Sequence, residues 1–383
     1  MWLSNLNNVE DGRTVNIAVK GNSITAVNFD SIPGNEAAIH FTDASVLPGL
    51  INSHDHLDFN NYPQTGNRIY QNYTQWGKDI HQHNRAAIDA VLKIPESLRT
   101  DWGLYKNLLA GITTVVNHGN KIPIASELIT VHQQAVSLHS AGFENNWKRK
   151  LNNPFNAGRP VAIHTGEGTD EAASAEIDAL VRWNLLRKKL VGIHGVAMSM
   201  EQAKYFKALV WCPVSNFFLL GKTAAVGQLK NNTTILFGTD STLTAGWNIW
   251  DHLNDALQTA QLSYAALWGA VTESAAAAWN TGNGKITAGK FADIVIVKGA
   301  NKKVNDGSVF KTVPGDILLV MRHGQVKLFD AALKDRLQAY IEPETFSTIS
   351  LGGNKKFVAG NLPGLAGEIL KYYPDAKFPF TAG

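Results

Sequence analysis

Short runs of aliphatic and β-branched residues recur through the middle of the chain, and helical stretches separate them. The runs are residues 50–53, 112–117, 161–164, 191–194, 209–212 and 234–237. Between runs, residues 86–92 and 176–186 have the apolar spacing of amphipathic helices. This alternation is typical of a parallel sheet with crossover helices. Several runs end in a polar or titratable residue, as expected for a (β/α)8 barrel enzyme.

The two ends of the chain show a different, strictly alternating pattern. Residues 13–28 predict a β-hairpin that turns at Gly21-Asn22, and residues 292–297 predict a strand. A further hairpin is predicted over residues 317–329, turning near His323-Gly324. Both ends therefore predict one small β-rich domain that flanks the middle of the chain.

Two regions limit this prediction. Residues 118–160 leave room for one βα unit but hardly two, because a crossover unit takes roughly 30 residues or more. We therefore expect a shortened or irregular segment in the barrel there. The tail beyond residue 330 has weak periodicity and gives no structural prediction.

Composition excludes several classes of protein. The chain has 383 residues, a net charge of +3 and only 17% charged residues, which argues against a nucleic-acid partner. Cys212 is the single cysteine, so an intrachain disulfide and a cysteine-rich metal site are both excluded. The first residues lack the pattern of a signal peptide, and no apolar run reaches about 18 residues. A cytoplasmic protein without membrane contact is the expectation.

An apolar run from residue 45 to residue 53 leads into His54-Asp55-His56. Alternate side chains of a strand share a face, so His54 and His56 are predicted to point the same way. Two imidazoles at the end of a buried strand can close on one ion, which makes a metal half-site. The structural alternative is two exposed histidines at a strand end.

Other predicted strands end in residues with related chemistry. His164 and His194 each end an apolar run, Asp240 follows residues 234–237, and Glu167 follows His164 by three positions. Taken singly, a histidine of this kind is more often hydrogen-bonded structure, and an aspartate is often a helix N-cap. The combination at the ends of parallel strands favours one divalent cation held by imidazoles and a carboxylate.

These segments together resemble the amidohydrolase superfamily, in particular its cytosine-deaminase and chlorohydrolase-like branch. The resemblance covers about residues 10–330 and rests on residues 48–56, 111–115, 164–167, 194, 213–216, 238–241 and 289–295. It implies an α/β fold: a distorted (β/α)8 TIM-like barrel over residues 48–283. A small β-sandwich domain would be formed from both chain ends, residues 1–47 and 284–383.

The resemblance also implies roles for the individual residues. His54, His56, His164 and Asp240 would hold the metal, Glu167 would move protons, and His194 would orient the water or polarise the substrate. Asp240 would take part in catalysis as well as in metal binding, because a carboxylate on the ion can accept the proton of its water.

The two-metal members of the superfamily carry a bridging carboxylated lysine on the fourth strand. Residues 131–143, the corresponding region here, contain no lysine, so the resemblance implies one metal ion per chain. Zn²⁺ is favoured by three imidazoles and a carboxylate, and Fe²⁺ and Mn²⁺ accept similar ligands. His118, Asn216 and Trp247 are the candidate substrate-binding residues, with Trp250 beside them. The expected partner is a small molecule, and the sequence leaves homo-oligomer formation open.

Three motifs compete with this interpretation. His81-Gln82-His83 is a second His-x-His, but its polar surroundings predict a place on the surface or in a loop over the barrel mouth. Gly221-Lys222-Thr223 resembles a phosphate loop, although Asn216 stands where the first glycine should be. The chain contains no Gly-x-Ser-x-Gly motif, which argues against a serine hydrolase.

The sequence therefore predicts a metal-dependent hydrolase that acts on a C–N bond of a small cyclic nitrogen compound, with deamination favoured. One alternative is opening of a cyclic amide or imidazolone ring by the same residues. The other is a catalytically silent scaffold of the same fold. A silent relative would usually lack a metal ligand, and here the expected set is complete.

Overall fold

The N-terminal strands form the start of a large sheet. The structure, a computed structural model, describes residues 1–28, 32, 37–156 and 158–383. The strands are β1 (Trp2–Asn8), β2 (Thr14–Lys20), β3 (Ser23–Asn28), β4 (Ala38–His40) and β5 (Ala44–Pro48). The antiparallel pair of β2 and β3 is the hairpin predicted from the alternating pattern.

The apolar run over residues 45–53 contains two strands rather than one. It is split at Gly49: β5 belongs to the large sheet, whereas β6 (Leu50–Asp55) starts a separate parallel sheet. A Cβ atom at Gly49 would lie 2.2 Å from Thr113 Oγ1, so only glycine fits at this crossing between the two sheets.

Within the described residues, eight parallel strands form two sheets, and six of these strands coincide with the predicted runs. β6, β7 (Ile112–Asn117) and β8 (Thr130–His132) form a three-stranded sheet. The five-stranded sheet has the order β13-β12-β11-β10-β9. Its strands are β9 (Val136–Ser140), β10 (Val161–Thr165), β11 (Leu190–His194), β12 (Phe206–Trp211) and β13 (Thr234–Phe237). The parallel sheets and the helices between their strands confirm the predicted α/β class.

The expected irregular segment lies between β7 and β10. This interval holds two strands, β8 and β9, which follow each other with only residues 133–135 between them. A parallel pair normally requires a crossover of a dozen or more residues. The structure describes no pairing between β8 and β9, and the three-stranded and five-stranded sheets are separate at this point.

Helices separate most of the parallel strands. They are α1 (Tyr73–His83), α2 (Arg85–Leu92), α3 (Glu96–Leu109), α4 (Trp147–Leu151), α5 (Glu171–Trp183), α6 (Met200–Ala203), α7 (Pro213–Leu220), α8 (Val226–Leu229), α9 (Ile249–Gln258), α10 (Tyr264–Ala270) and α11 (Glu273–Trp279). The two predicted helices correspond to α2 and α5, and α5 ends three residues earlier than expected. Helix α3 lies against the backbone of Leu57, where a Cβ at Gly103 would meet the Leu57 carbonyl oxygen at 2.2 Å. This contact places α3 directly behind the histidine-bearing end of β6.

The C-terminal part returns to the large sheet. Its strands are β14 (Ile294–Lys298), β15 (Ile317–Arg322), β16 (Gln325–Asp330), β17 (Phe346–Leu351), β18 (Asn354–Ala359) and β19 (Phe380–Ala382). Helices α12 (Lys334–Leu337) and α13 (Leu362–Tyr372) connect the later strands. Strand β14 pairs with β5, so strands from both chain ends share one eleven-stranded sheet. The tail beyond residue 330, which has no structural prediction, supplies three of these strands, β17, β18 and β19.

Two apolar cores support these layers. One lies between the parallel strands and their helices and includes Leu50, Ile163 and Phe237, all fully buried. The other lies in the large sheet and includes Leu3 and Ile294. Burial of apolar surface stabilises the folded protein by about 25 cal/mol per Å². Because such cores are closely packed, they hold the strand ends in fixed positions. The histidines at those ends therefore project from a rigid framework.

Candidate metal centre

Three strand ends and the loop after β13 bring imidazoles and a carboxylate together. His54 Nε2 lies 3.3 Å from His164 Nε2 and 3.7 Å from Asp240 Oδ1, and His56 Nε2 lies 3.8 Å from the same carboxylate oxygen. Donor atoms of two overlapping groups lie within 4.8 Å of one another: His54, His164 and His194, and His54, His56 and Asp240. These are the residues that the strand-end argument selected.

The protonation of these groups suits a divalent cation. Burial and the neighbouring His54 lower the pKa of His56 to about 4, and burial with nearby imidazoles lowers the pKa of His164 well below its usual value. Burial would raise the pKa of Asp240, but a hydrogen bond from His54 and the surrounding imidazoles hold it well below its usual range. Neutral imidazoles beside an ionised carboxylate are the donor set that zinc binds in proteins. The residues present therefore fit a zinc-type ion.

The backbone turns sharply at two of these positions. His194 and Asp240 have φ angles of 71° and 56°, in the left-handed region that non-glycine residues rarely adopt. Such conformations persist only where the surrounding structure holds them, and they are concentrated at functional sites. Beside them, a Cβ at Gly238 would lie 2.7 Å from His54 Cβ, so the loop approaches β6 as closely as glycine permits.

Asp240 is oriented by hydrogen bonds on both carboxylate oxygens. Oδ2 accepts from Ser215 Oγ at 2.8 Å and from Thr244 Oγ1 at 3.0 Å, and Oδ1 accepts from the Ser241 backbone N–H at 2.8 Å. The Asp240 backbone N–H donates to the His54 carbonyl at 3.1 Å. These contacts hold the Oδ1 atom toward His54 and His56. Ser215 lies within residues 213–216, which carry part of the family resemblance, and no role is predicted for it from the sequence.

A buried polar network lies beneath the first two histidines. Lys106 on α3 is fully buried and donates from Nζ to Asp55 Oδ2 at 2.9 Å, Asn60 Oδ1 at 2.9 Å and Thr239 Oγ1 at 3.4 Å. Asp55 is the residue between His54 and His56, and Thr239 precedes Asp240. One lysine therefore ties the His-x-His strand to the loop that carries the carboxylate.

Glu167 lies beside the imidazole cluster without being close enough to join either donor group. Its Oε1 atom is 3.6 Å from His194 Nε2, and the side chain is 6% exposed. Burial, together with the nearby charge of Asp240, raises the pKa of Glu167 well above its usual value. The shift favours the protonated form of the carboxyl group, which can donate a proton.

His194 is held from behind by Asn216. The amide of this fully buried residue lies 2.9 Å from His194 Nδ1. Burial lowers the pKa of His194 to about 3, so the ring is neutral. Asn216, which the sequence proposed for substrate binding, supports a site residue in this structure, because α7 carries it behind the ring.

Two connected cavities lead to these residues. An inner cavity of about 70 Å³ is lined by His56, His164, Glu167, His194 and Asp240 together with aromatic side chains. An outer cavity of about 590 Å³ shares His56, Phe59, His139 and Phe143 with it.

His118 lies in the wall of the outer cavity. It is buried, its Nδ1 is 3.2 Å from Ser137 Oγ, and its Nε2 has no hydrogen-bond partner among the described residues. His118 therefore lines a cavity, and its role in substrate binding stays a prediction.

The remaining candidates lie elsewhere. Trp247 lines a separate cavity between residues 60–64 and the segment 373–379, and Trp250 is fully buried and donates to the Ala110 carbonyl at 3.0 Å. His81 and His83 are exposed on α1 and not among the residues that line the inner cavity. Their predicted surface position is confirmed.

Several cavity residues were not singled out from the sequence. Tyr73, Trp76 and His139 line the inner cavity, and His139 lies on β9 with its ring 5.2 Å from that of His164. A signal was present for His139, because it follows Leu138 at the end of a short apolar stretch, as the other site histidines do. Tyr73 and Trp76 come from α1, whose distance from β10 the sequence does not encode.

Sequence comparison identifies a family over part of the chain. Residues 148–327 match the Amidohydrolase family. No curated protein matches the chain significantly by sequence. Within the described residues, no helix combines the length and apolar character needed to cross a membrane.

Solved structures share the fold at low sequence identity. Guanine deaminase from C. acetobutylicum with bound guanine has a TM-score of 0.64 and 14% identity, over 85% of this chain and 99% of that chain. Atrazine chlorohydrolase TrzN from Arthrobacter aurescens TC1 complexed with zinc has a TM-score of 0.63 and 16% identity, over 85% and 94%. An adenosine deaminase from Xanthomonas campestris with bound zinc has a TM-score of 0.62 and 19% identity, over 82% and 88%. The family match covers just under half of the chain, and the solved structures that share its fold include deaminases and a chlorohydrolase.

Proposed function

We propose that this protein is a metal-dependent hydrolase that deaminates a small, planar nitrogen heterocycle. The observation that carries the proposal is the buried Glu167, whose Oε1 lies 3.6 Å from His194 Nε2, beside a donor set suited to zinc. Hydrolysis of a C–N bond needs an activated water and a proton for the departing nitrogen. The inner cavity contains a candidate for each requirement.

We also propose the finer architecture. The three-stranded and five-stranded sheets would be two arcs of one distorted (β/α)8 barrel over residues 48–283, and residues 1–47 with 284–383 would form the β-sandwich domain. Two observations support the barrel: the strands number eight, and the hydrogen bond from Asp240 N to His54 O joins the last strand's loop to the first strand. Side chains at the carboxyl ends of such strands form the active site in this architecture.

His54, His56, His164 and Asp240 would hold one divalent cation, with Zn²⁺ favoured. A cation bound there would lower the pKa of a water toward about 7 and supply a nucleophile at neutral pH. Strand β9 and its flanks contain no lysine that could bridge a second ion, since residues 131–143 include none. His194 is near enough to compete as a ligand.

The chain's own residues would then divide the proton transfers. Asp240 is ionised and oriented by its hydrogen bonds, so it can accept a proton from a water held among the imidazoles. Glu167 is protonated and can donate to the departing nitrogen. General acid–base assistance of this kind typically contributes about 10²–10⁴-fold in rate.

The cavities favour a planar ring as substrate. Phe59, Tyr73, Trp76 and Phe143 provide aromatic faces in the inner cavity, and His118 supplies an unpartnered Nε2 in the outer one. Aromatic faces stack on flat rings, and a small number of polar groups fix orientation. Two of the comparison structures also involve planar rings, since one holds guanine and another is a 5-methylcytosine deaminase from Klebsiella pneumoniae.

The test combines metal analysis with a turnover screen. Protein purified with excess zinc should contain one zinc per chain. It should release ammonia from at least one member of a panel of pyrimidines, purines, pterins, creatinine-like rings and imidazolones. Glu167→Gln should keep its zinc and lose about 10²–10⁴-fold in kcat. Hydrolysis of phosphate esters alone, or near-normal turnover by Glu167→Gln, would contradict the assignment.

A further inference from the structure

A chain of hydrogen bonds runs from the protein interior to His194. Trp211 Nε1 lies 2.6 Å from Thr223 Oγ1, Thr223 Oγ1 lies 3.3 Å from Asn216 Oδ1, and Asn216 Nδ2 lies 2.9 Å from His194 Nδ1. Trp211, Asn216 and His194 are at most 1% exposed. Buried polar groups keep their partners because an unmade hydrogen bond there costs about 1–3 kcal/mol.

The first member of this chain sets the direction of the others. An indole N–H can only donate, so Trp211 makes the Thr223 hydroxyl oxygen an acceptor. The single hydroxyl proton of Thr223 is then free to point at Asn216. An amide oxygen accepts this proton and an amide nitrogen does not, so Oδ1 of Asn216 faces Thr223 and Nδ2 faces His194.

The opposite orientation of the amide leaves a conflict. Nδ2 of Asn216 would then donate to Thr223, whose oxygen already accepts from Trp211. Both neighbours of the hydroxyl would be donors, and its own proton would have no partner among these residues. The order Trp211, Thr223, Asn216, His194 gives a partner to the indole N–H, to the hydroxyl proton and to one amide N–H.

We propose that this hydrogen-bond relay, which runs from Trp211 through Thr223 and Asn216, fixes His194 as the tautomer with its proton on Nε2. A neutral imidazole carries one ring proton, and Nδ1 is occupied as an acceptor by Asn216. Nε2–H then points toward the inner cavity, on the side of Glu167 Oε1 at 3.6 Å. His194 is thereby a hydrogen-bond donor to an oxygen in the cavity, and it is excluded as a metal ligand through Nε2.

This assignment chooses between the two overlapping donor groups. His54, His164 and His194 are as close together as His54, His56 and Asp240, so distance alone allows either set to bind an ion. A protonated Nε2 has no lone pair for a cation. Asn216, Thr223 and Trp211 are therefore positioning residues that reserve His194 for the substrate, an inference that rests on the proposed function only for the nature of that substrate.

The first experiment needs no substrate. Ring ¹⁵N NMR of His194 in the zinc-loaded protein should show a protonated Nε2 and an unprotonated Nδ1. Asn216→Asp replaces the amide donor with a carboxylate that only accepts, so the proton should move to Nδ1 in that variant. An unprotonated or metal-bound Nε2 in the wild-type protein overturns the proposal, whether or not any turnover has been found.

The second experiment uses turnover. If His194 donates to an oxygen that gains charge during the reaction, Asn216→Asp should retain zinc, change KM little and lower kcat about 10²-fold, as loss of one such donor does. Thr223→Val should lower kcat and Thr223→Ser should restore it, because serine keeps the hydroxyl. Asn254→Asp, at a half-buried amide that donates to the Trp250 and Phe310 carbonyls, controls for general effects of this substitution. An Asn216→Asp protein with unchanged kcat and a proton still on Nε2 contradicts the relay.

Discussion

Lys106 offers the sharpest test of how the metal centre is held in place. Its Nζ makes three hydrogen bonds, to Asp55, Asn60 and Thr239, and the side chain has no exposed surface. Lys106→Met keeps the volume of the apolar stem and removes the charge. The carboxylate of Asp55 then remains buried without a cation.

The expected loss follows from what remains around that carboxylate. Removing one partner of a buried ion pair typically costs about 3–5 kcal/mol. Asp55 keeps amide donors from Asn60 at 2.9 Å, Asn107 at 2.8 Å and Asn52 at 3.3 Å, which places the expected cost at the lower end of that range. Adding Asp55→Asn to Lys106→Met removes the unpaired charge. The double-mutant cycle should therefore give a coupling of about 0.5–3 kcal/mol.

A second buried lysine provides the matched control. Lys356 in the large sheet is also fully buried and donates to Asp330 Oδ2 and the Ile317 carbonyl, both at 2.7 Å. Lys356→Met should lower the free energy of unfolding in urea by a similar amount. Only Lys106→Met should also weaken zinc binding, by about 10–100-fold, as loss of a residue that orients metal ligands does. Equal zinc affinities in the two variants, measured by competition with a chelator, would refute the idea that Lys106 positions the site.

Two further predictions concern groups outside the metal centre. Burial raises the pKa of Glu176 to about 7 even though Tyr73 and the Ala141 backbone hydrogen-bond to it, so the folded protein holds a proton that the unfolded chain releases. The free energy of unfolding should therefore fall as pH rises from about 5 to about 7. Glu176→Gln should remove this fall, so at pH 8 the variant should gain at most about 3 kcal/mol relative to the wild-type protein. Parallel curves of unfolding free energy against pH for the two proteins would contradict this pKa. The double variant His81→Ala/His83→Ala should keep the zinc content and turnover of the wild-type protein, because both rings are exposed on α1; loss of either property would return these residues to the site.

The strand-end histidines could be predicted because their positions follow from a local pattern. An apolar run of four to six residues bounded by polar ones identifies a buried strand, and the next residue in the chain must lie at the carboxyl end of that strand. Parallel strands bring their carboxyl ends together on one side of the sheet. The positions of His54, His164 and His194 therefore followed from the fold class, without further long-range information. The same reasoning placed Asp240 close to them.

The residues that hold these side chains in place, Lys106 and Asn216, could not be predicted in the same way. Lys106 sits in an amphipathic helix, where a lysine is normally exposed. Its burial depends on α3 packing through Gly103 against Leu57, in the segment that follows β6. Asn216 was recognised within a motif, but the sequence does not state which side of His194 helix α7 occupies. Tertiary packing decides both cases.

The sequence of the tail does contain a pattern that predicts a hairpin. Gly352-Gly353 stands between two alternating segments, which is typical of a two-residue hairpin turn. The structure forms a hairpin there from β17 and β18. Weak hydrophobicity at this edge of the large sheet concealed the alternation, since most residues of both strands are only partly buried or exposed.

Proximity does not distinguish ligands from other histidines in this centre. The ring of His164 lies 5.0 Å from that of His54, 5.3 Å from that of His56, 4.4 Å from that of His118 and 5.2 Å from that of His194. An ion selects among imidazoles by available lone pairs, and the partner of the other ring nitrogen decides where the lone pair is. For His194 that partner is an amide rather than a carboxylate. The role of this histidine is therefore determined by the residue at position 216, and a carboxylate there would make His194 available to the metal without moving its ring.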